Sequence, residues 1–225
     1  STDRSAALVS LETYGSRMKD GQDAIYFLSG PAETIAKSPL LEAFAAKGYE
    51  VLLFSDPIDE LWLENAPTYK DKPLRSIGRG EAVLGTEEER KQASEELETK
   101  RREYGDLIAC LRVALQDQVK EVRLSNRLTA SAACLVADER DLSPRMARML
   151  EQLGQPAPKV KPVLELNPSH PVLEKLRKIF AESKGDPRLA LYAELLYGQA
   201  HLADSGQVPD PAAFSRALAD LMTRA

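Results

Sequence analysis

With 225 residues, 43% of them hydrophobic and 29% charged, the chain has the balance of a globular protein of one large or two small domains, long enough to bury a core without staples. A formal charge of −5 argues against nucleic acid as the main partner, and no run of about twenty apolar residues is present to cross a membrane. The opening STDRSAALVS has neither a secretory nor a transit pattern; it suits a cut within a longer protein.

In chain order, AIYFLS (24–29) and YEVLLFS (49–55) are branched and aromatic runs of strand length. Between them, PAETIAKSPLLEAFAAKG carries a helix start at Ser38–Pro39 and a stop at Gly48. Strand, helix, strand at this spacing predicts a right-handed βαβ unit and a parallel sheet. SDPIDELWLEN begins another helix, with Asp56 as N-cap and Pro57 in its first turn. YKDKPLRSIGRGEAVLG reads as a low-apolar connector, and a domain boundary falls near residues 78–88, giving units 1–80 and 81–225.

Thr86 and Glu89 form a capping-box pattern at the start of a long helix. Its first half is charged nearly all round, and its second half brings Leu107, Ile108, Leu111 and Leu115 onto helical spacing. The helix should begin exposed and finish against a core. Strand signals return at KEVRLS, AACLVAD and KPVLELN. The last two flank LSPRMARMLEQLG, a helix with Ser143 as cap, Pro144 in its first turn and Gly154 as stop. The final 45 residues are helical, with matching starts at Asp186–Pro187 and Asp210–Pro211. The predicted class is α/β then α+β: a small layered βαβ unit, then a mixed domain ending in helices.

Candidates for chemistry are few. His170 precedes Pro171, so its ring suits an N-cap; a catalytic or metal role would need partners that the neighbouring sequence lacks. Cys110 and Cys134 lie in apolar surroundings without a CxxC, which fits small buried hydrophobes in a reducing compartment. The turn LSGPAETIA offers one glycine where a phosphate cradle wants a glycine-rich run. A nucleotide-binding domain or small α/β enzyme with its site near Ser29, Ser55 and Asp56, joined to a helical dimerisation domain, remains the alternative function.

Two apolar stripes stand out. Met146, Met149, Leu150 and Leu153 recur at i, i+3, i+4, i+7, which fits either core or an adaptable binding surface. At the chain end, Leu189, Tyr192, Leu196 and Ala203 line one helix face, with Leu191, Leu195 and Leu202 beside it. Phe214, Leu218, Leu221 and Met222 line the last helix. These two helices either pack wholly on their own domain or pair with a second copy.

RMKDGQDAIYFLSG, KGYEVLLFSDPIDE, VKEVRLSNRLTASAACLVADE and VLELNPSHPVLEKL, in this order and spacing, resemble the heat-shock protein 90 chaperone family, its bacterial (HtpG-type) and organellar members in particular. The resemblance runs from about residue 10 to the end. It implies that residues 11–80 are the last part of the family's middle segment, and that the rest is its C-terminal dimerisation domain. It also implies that the terminal helices form an intermolecular four-helix bundle through Leu189, Tyr192, Leu195, Leu196, Phe214, Leu218, Leu221 and Met222. Unfolded or partly folded client proteins would be met by Leu142, Met146, Met149, Leu150 and Leu153, and by an aromatic after IDE. Here Leu61 follows IDE and Trp62 comes one place later, about 100° around a helix.

The same resemblance places the ATP- and Mg-binding domain and the assisting arginine upstream in the parent, leaving no catalytic residue, cofactor or metal here. It implies a cytoplasmic or organellar-matrix setting. Because the sequence ends LMTRA without an acidic tail, co-chaperones that read such a tail are not expected.

Overall fold

The computed structural model describes residues 1–3, 8–65, 67–82, 84–139, 141, 150, 154–155 and 160–224. In the first unit, β1 (Ile25–Ser29) lies between β2 (Leu52–Phe54) and β4 (Lys72–Ser76), with β3 (Thr68–Tyr69) at the edge beyond β4. β1 runs parallel to both neighbours, with Phe27 opposite Leu52 and Ile25 opposite Leu74. This is the parallel βαβ arrangement that the alternating signals predict. Helices α1 (Leu11–Ser16), α2 (Ala32–Ile35), α3 (Glu42–Ala46) and α4 (Pro57–Asn65) accompany the sheet. A 3₁₀ turn at Pro39–Leu41, capped by the Ser38 hydroxyl, leads into α3. Asp56 caps α4 by accepting from the Ile58 N–H at 3.0 Å.

The connector is where the structure departs from expectation. Residues 68–76 form an antiparallel hairpin, and its second strand joins β1. Its turn places Lys70 at φ 45° and Asp71 at φ 63°, the left-handed pair that tight hairpins require. Glycine or asparagine usually signals such a turn, and neither is present here. The strand itself has the exposed or half-exposed pattern of a surface element, so no apolar run reveals it.

In the second unit, α5 (Glu87–Ala114) opens with the complete capping box: the Thr86 hydroxyl accepts from Glu89 N–H, and the Glu89 carboxylate accepts from Thr86 N–H. Its buried residues are Leu97, Tyr104, Leu107 and Leu111, with Leu115 just beyond, so the exposed start and packed finish are as predicted. Three strands follow, β5 (Glu121–Leu124), β6 (Ala133–Val136) and β7 (Val163–Leu166), in the order β5-β7-β6. β7 is parallel to β5 and antiparallel to β6. Helices α6 (Pro171–Glu182), α7 (Pro187–Ser205) and α8 (Pro211–Arg224) complete the chain. The core collects Leu107, Leu111 and Leu115, β-strand residues such as Val122 and Leu166, and Leu173, Leu176 and Leu196 from the later helices.

The two sheets share a joint. Leu128, Cys134, Val136 and Val163 pack with Tyr26, Leu28, Leu40 and Phe44 in one buried cluster. At its centre Arg127, 0% exposed, meets the equally buried Glu165. Nε donates to Glu165 Oε2 at 2.8 Å, while the terminal nitrogens donate to the carbonyls of Ile77 and Gly80. Arg123 and the Ser125 hydroxyl donate to the same carboxylate, each at 2.8 Å. A buried charge is tolerable only when every lone pair and proton finds such a partner.

Candidate functional site

His170, Asp186 and Asp210 each do local work at a helix start. The imidazole Nδ1 of His170 accepts from Val172 N–H at 3.2 Å, Asp186 accepts from Arg188 N–H at 2.8 Å, and Asp210 accepts from Ala213 N–H at 2.8 Å. Each satisfies one of the backbone donors that a first helical turn leaves unpaired.

The Asp186 and Asp210 starts position α7 and α8, the candidate dimer surface. α7 runs along β6 and also contacts α5, α6 and α8. Leu189, Tyr192 and Leu196 lie inside the chain's own core, and Leu195 is buried as well. For a surface between protomers this is a correction: all four are already buried within the chain, Leu189, Tyr192 and Leu196 in the core around the three-stranded sheet. The last helix is divided differently. Ala217 is buried, and Phe214 and Leu221 are half-buried, Leu221 against the core. Leu218 and Met222, one turn apart, remain 44% and 74% exposed, and Leu202 on α7 remains 48% exposed. The apolar stripe of α8 is therefore split lengthwise. One half closes the chain's core, and the other half faces outward.

Gly198 is the signal that sequence periodicity missed. A Cβ there would collide with the ring of Phe214, so the missing side chain lets α8 lie close against α7. Near it, His201 Nε2 and the Tyr197 hydroxyl are 3.0 Å apart, and burial holds the imidazole below its ordinary range.

Of the residues expected to meet clients, Trp62 is 41% exposed and touches Phe54, ring centroids 5.9 Å apart; Ile58 on the same helix is 59% exposed. Leu150 is itself helical and half-buried. Leu142, Met146, Met149 and Leu153 lie outside the described residues. At the strand ends proposed for an enzyme site, the Asp56 carboxylate is engaged in capping and its N–H donates to Asp59. Among the described residues there is no group of three His, Cys, Asp or Glu suited to a metal ion, and no helix long and apolar enough to cross a membrane. Cys134 is buried but Cys110 is only half-buried, correcting the expectation for that thiol: it lies beside, not on, the packed line of Leu107 and Leu111.

The family model described as Hsp90 protein matches residues 1–225. The chain belongs to the Hsp90 family. Among its relatives, "Chaperone protein HtpG" of Rhodococcus jostii is 46% identical over all of this chain and 35% of the relative's length. The protein of that name from Geobacter sulfurreducens is 45% identical over 96% of this chain and 33% of its own. That of Salinispora tropica is 48% identical over all of this chain and 35% of its own. This Hsp90-family chain thus spans about a third of the length of the curated relatives it matches.

For this Hsp90-family chain the polar residues that sequence reading passed over are those of the joint: Arg127 and Glu165, and Glu42 at its rim. Their partners lie 38 and 87 or more positions away, beyond the reach of any local pattern.

Proposed function

We propose that this chain is the dimerising and client-contacting portion of an Hsp90-family chaperone of the HtpG type. The observation that carries the reading is the outward half of the terminal stripe, Leu202, Leu218 and Met222. These side chains stand on helices whose inner faces are already packed, so their exposure is not needed to close the chain's own core. Exposed apolar groups one turn apart on one helix, as Leu218 and Met222 are, suit an interface, and a helix pair presenting the same strip on two copies makes a self-complementary four-helix contact.

In this reading the first unit is the end of the middle segment and the second is the C-terminal dimerisation domain. Binding and hydrolysis of ATP with Mg belong to an upstream domain of the parent, and no residue here is catalytic. Clients are held by burial and adaptable contact, through Trp62 and the segment 142–153, in a cytoplasmic setting. Two weakly binding surfaces on one dimer add through effective concentration.

The test is suppression of aggregation. A chemically unfolded protein is diluted into buffer with the chain and followed by light scattering. The parent chain should lower the scattering in proportion to its concentration. Leu218→Glu should be less effective, and ATP should change neither result. Equal scattering with and without the chain would remove the client-binding half of the proposal, and a nucleotide-dependent effect would favour the enzyme alternative.

A further inference from the structure

The turn between α5 and β5, Gln116 to Lys120, fastens the chain on both sides of the stretch that carries Met146 and Met149. Where the chain has left β6, the Lys120 ammonium lies 2.9 Å from a carboxylate oxygen of Asp138 and 2.9 Å from one of Asp141. Asp141 N–H also donates to the Asp138 carbonyl at 3.2 Å, which keeps the two aspartates within one turn. Where the chain returns to β7, Lys120 N–H donates to the Pro162 carbonyl at 2.8 Å, and the Lys161 ammonium donates to the Gln116 carbonyl at 2.9 Å. Lys120 thus holds the departing arm with its side chain and the returning arm with its backbone. Between the arms, Gln155 N–H donates to the Leu150 carbonyl at 2.9 Å across Gly154 at φ 72°, the closing geometry of a helix C-terminus.

The two fastenings differ in kind. The return leads straight into Val163, which is buried and paired with Glu121 in the sheet. The exit is held by backbone bonds as far as Ala137, through Gly78 and Gly80; beyond it the Lys120 contact is ionic. Lys120 is exposed and both aspartates are half-buried. A single ion pair at such a site contributes little. Here one ammonium serves two carboxylates, and its removal would leave two like charges side by side. Hydrogen bonds to Asp138 and Asp141 hold the amine above its ordinary range, so it stays charged. We infer that Lys120 is a positioning residue for client contact: its ammonium fixes how the chain leaves β6 for the methionine-bearing stripe, without touching the client itself. This rests on the client-contacting role proposed for residues 142–153. It makes the exit sensitive to salt, which screens exposed charges, and leaves the hydrogen-bonded return insensitive.

The test compares Lys120→Met, which removes the charge, with Lys120→Arg, which keeps it and can meet both carboxylates. Binding of fluorescently labelled, reduced and carboxymethylated α-lactalbumin, a chain that stays unfolded, is followed by anisotropy. At low salt Lys120→Met should bind about fivefold more weakly than the parent, the scale of two exposed ion pairs, and Lys120→Arg should match the parent. In about 1 M salt the difference should vanish. Hydrogen exchange of residues 137–141, read by mass spectrometry, needs no client. Ala137 and Asp141 N–H are both bonded in the parent, and exchange there should be about fivefold faster in Lys120→Met alone. Melting and sedimentation should be unchanged in both variants. A parent that binds the unfolded chain while Lys120→Met binds it equally well at low salt would overturn the positioning role and spare the client reading. So would an arginine variant as weak as the methionine one, or a fall in melting temperature that accompanies the loss. A parent that binds no unfolded chain would remove the client reading, and the positioning role with it, even where exchange shifts as expected.

Discussion

The ring of Phe214 rests against the backbone of Gly198, in the space that a side chain at position 198 would fill. This contact fixes how closely α8 lies on α7, and hence where Leu218 and Met222 point. Gly198→Ala gains up to about 1 kcal/mol of helix propensity but forces the ring outward, an overpacking cost of about 1–3 kcal/mol. The clash should win. We expect the melting temperature to fall by a few degrees and dimerisation to weaken. Adding Phe214→Leu should restore part of both, as differential scanning calorimetry and sedimentation would record.

Replacing Arg127 with Met leaves Glu165 to Arg123 and Ser125, leaves the Gly80 carbonyl to Arg123, and strands the Ile77 carbonyl. Urea denaturation should show a loss of up to about 3–5 kcal/mol, the cost of removing one partner of a buried ion pair. Glu165→Gln added to Arg127→Met should recover a part of that loss, because the carboxylate that lost its most buried partner is gone. A double variant as damaged as the sum of the singles would show that the two residues do not act as a pair.

These two predictions separate what is legible in the sequence from what is not. The caps at Thr86, His170, Asp186 and Asp210 can be read from the chain because donor and acceptor sit within three positions. The parallel pairing of β1 and β2 follows from two apolar runs and the helix between them. β4 is hidden because its turn uses Lys70 and Asp71 and its strand is scarcely buried. Periodicity reveals that α7 and α8 are apolar but cannot say what covers each side. Hence Leu189, Tyr192, Leu195 and Leu196 turn out to be core, while Leu218 and Met222 face outward. The joint is invisible for a simpler reason: a buried arginine looks like any arginine until its distant partners are brought to it.

Glu42 gives the chain an acid-sensitive contact. Burial alone would raise its carboxyl, but hydrogen bonds from Ala130, Ser131 and Thr129 outweigh this and hold it below the ordinary range. A carboxyl depressed on folding contributes stability that is fully present above its unfolded value of about 4.3 and is lost as pH falls through the folded one. Stability measured from pH 6 downward should therefore decline less steeply in Glu42→Gln than in the parent below about pH 5. Parallel pH profiles would contradict this.

The two thiols should react in sequence. Burial, helped by the nearby Glu165 carboxylate, pushes the Cys134 thiol well above its ordinary range, whereas Cys110 is half-buried. A thiol reagent should titrate one cysteine in the native chain and two in denaturant, since only the thiolate attacks. Rapid native reaction of both would show that the joint opens far more widely than these contacts allow.

In the proposed dimer the outward half of the α8 stripe joins two copies of the chain. Sedimentation equilibrium of the parent and of Leu218→Glu with Met222→Glu measures this association, with circular dichroism and melting recorded on both. We predict a concentration-dependent monomer–dimer equilibrium for the parent. In the double variant, association should be weaker by about a hundredfold or more, because two carboxylates would be buried without partners, with secondary structure and melting of the monomer nearly unchanged. A parent chain that stays monomeric at every concentration, or a double variant that dimerises as tightly as the parent, would contradict it.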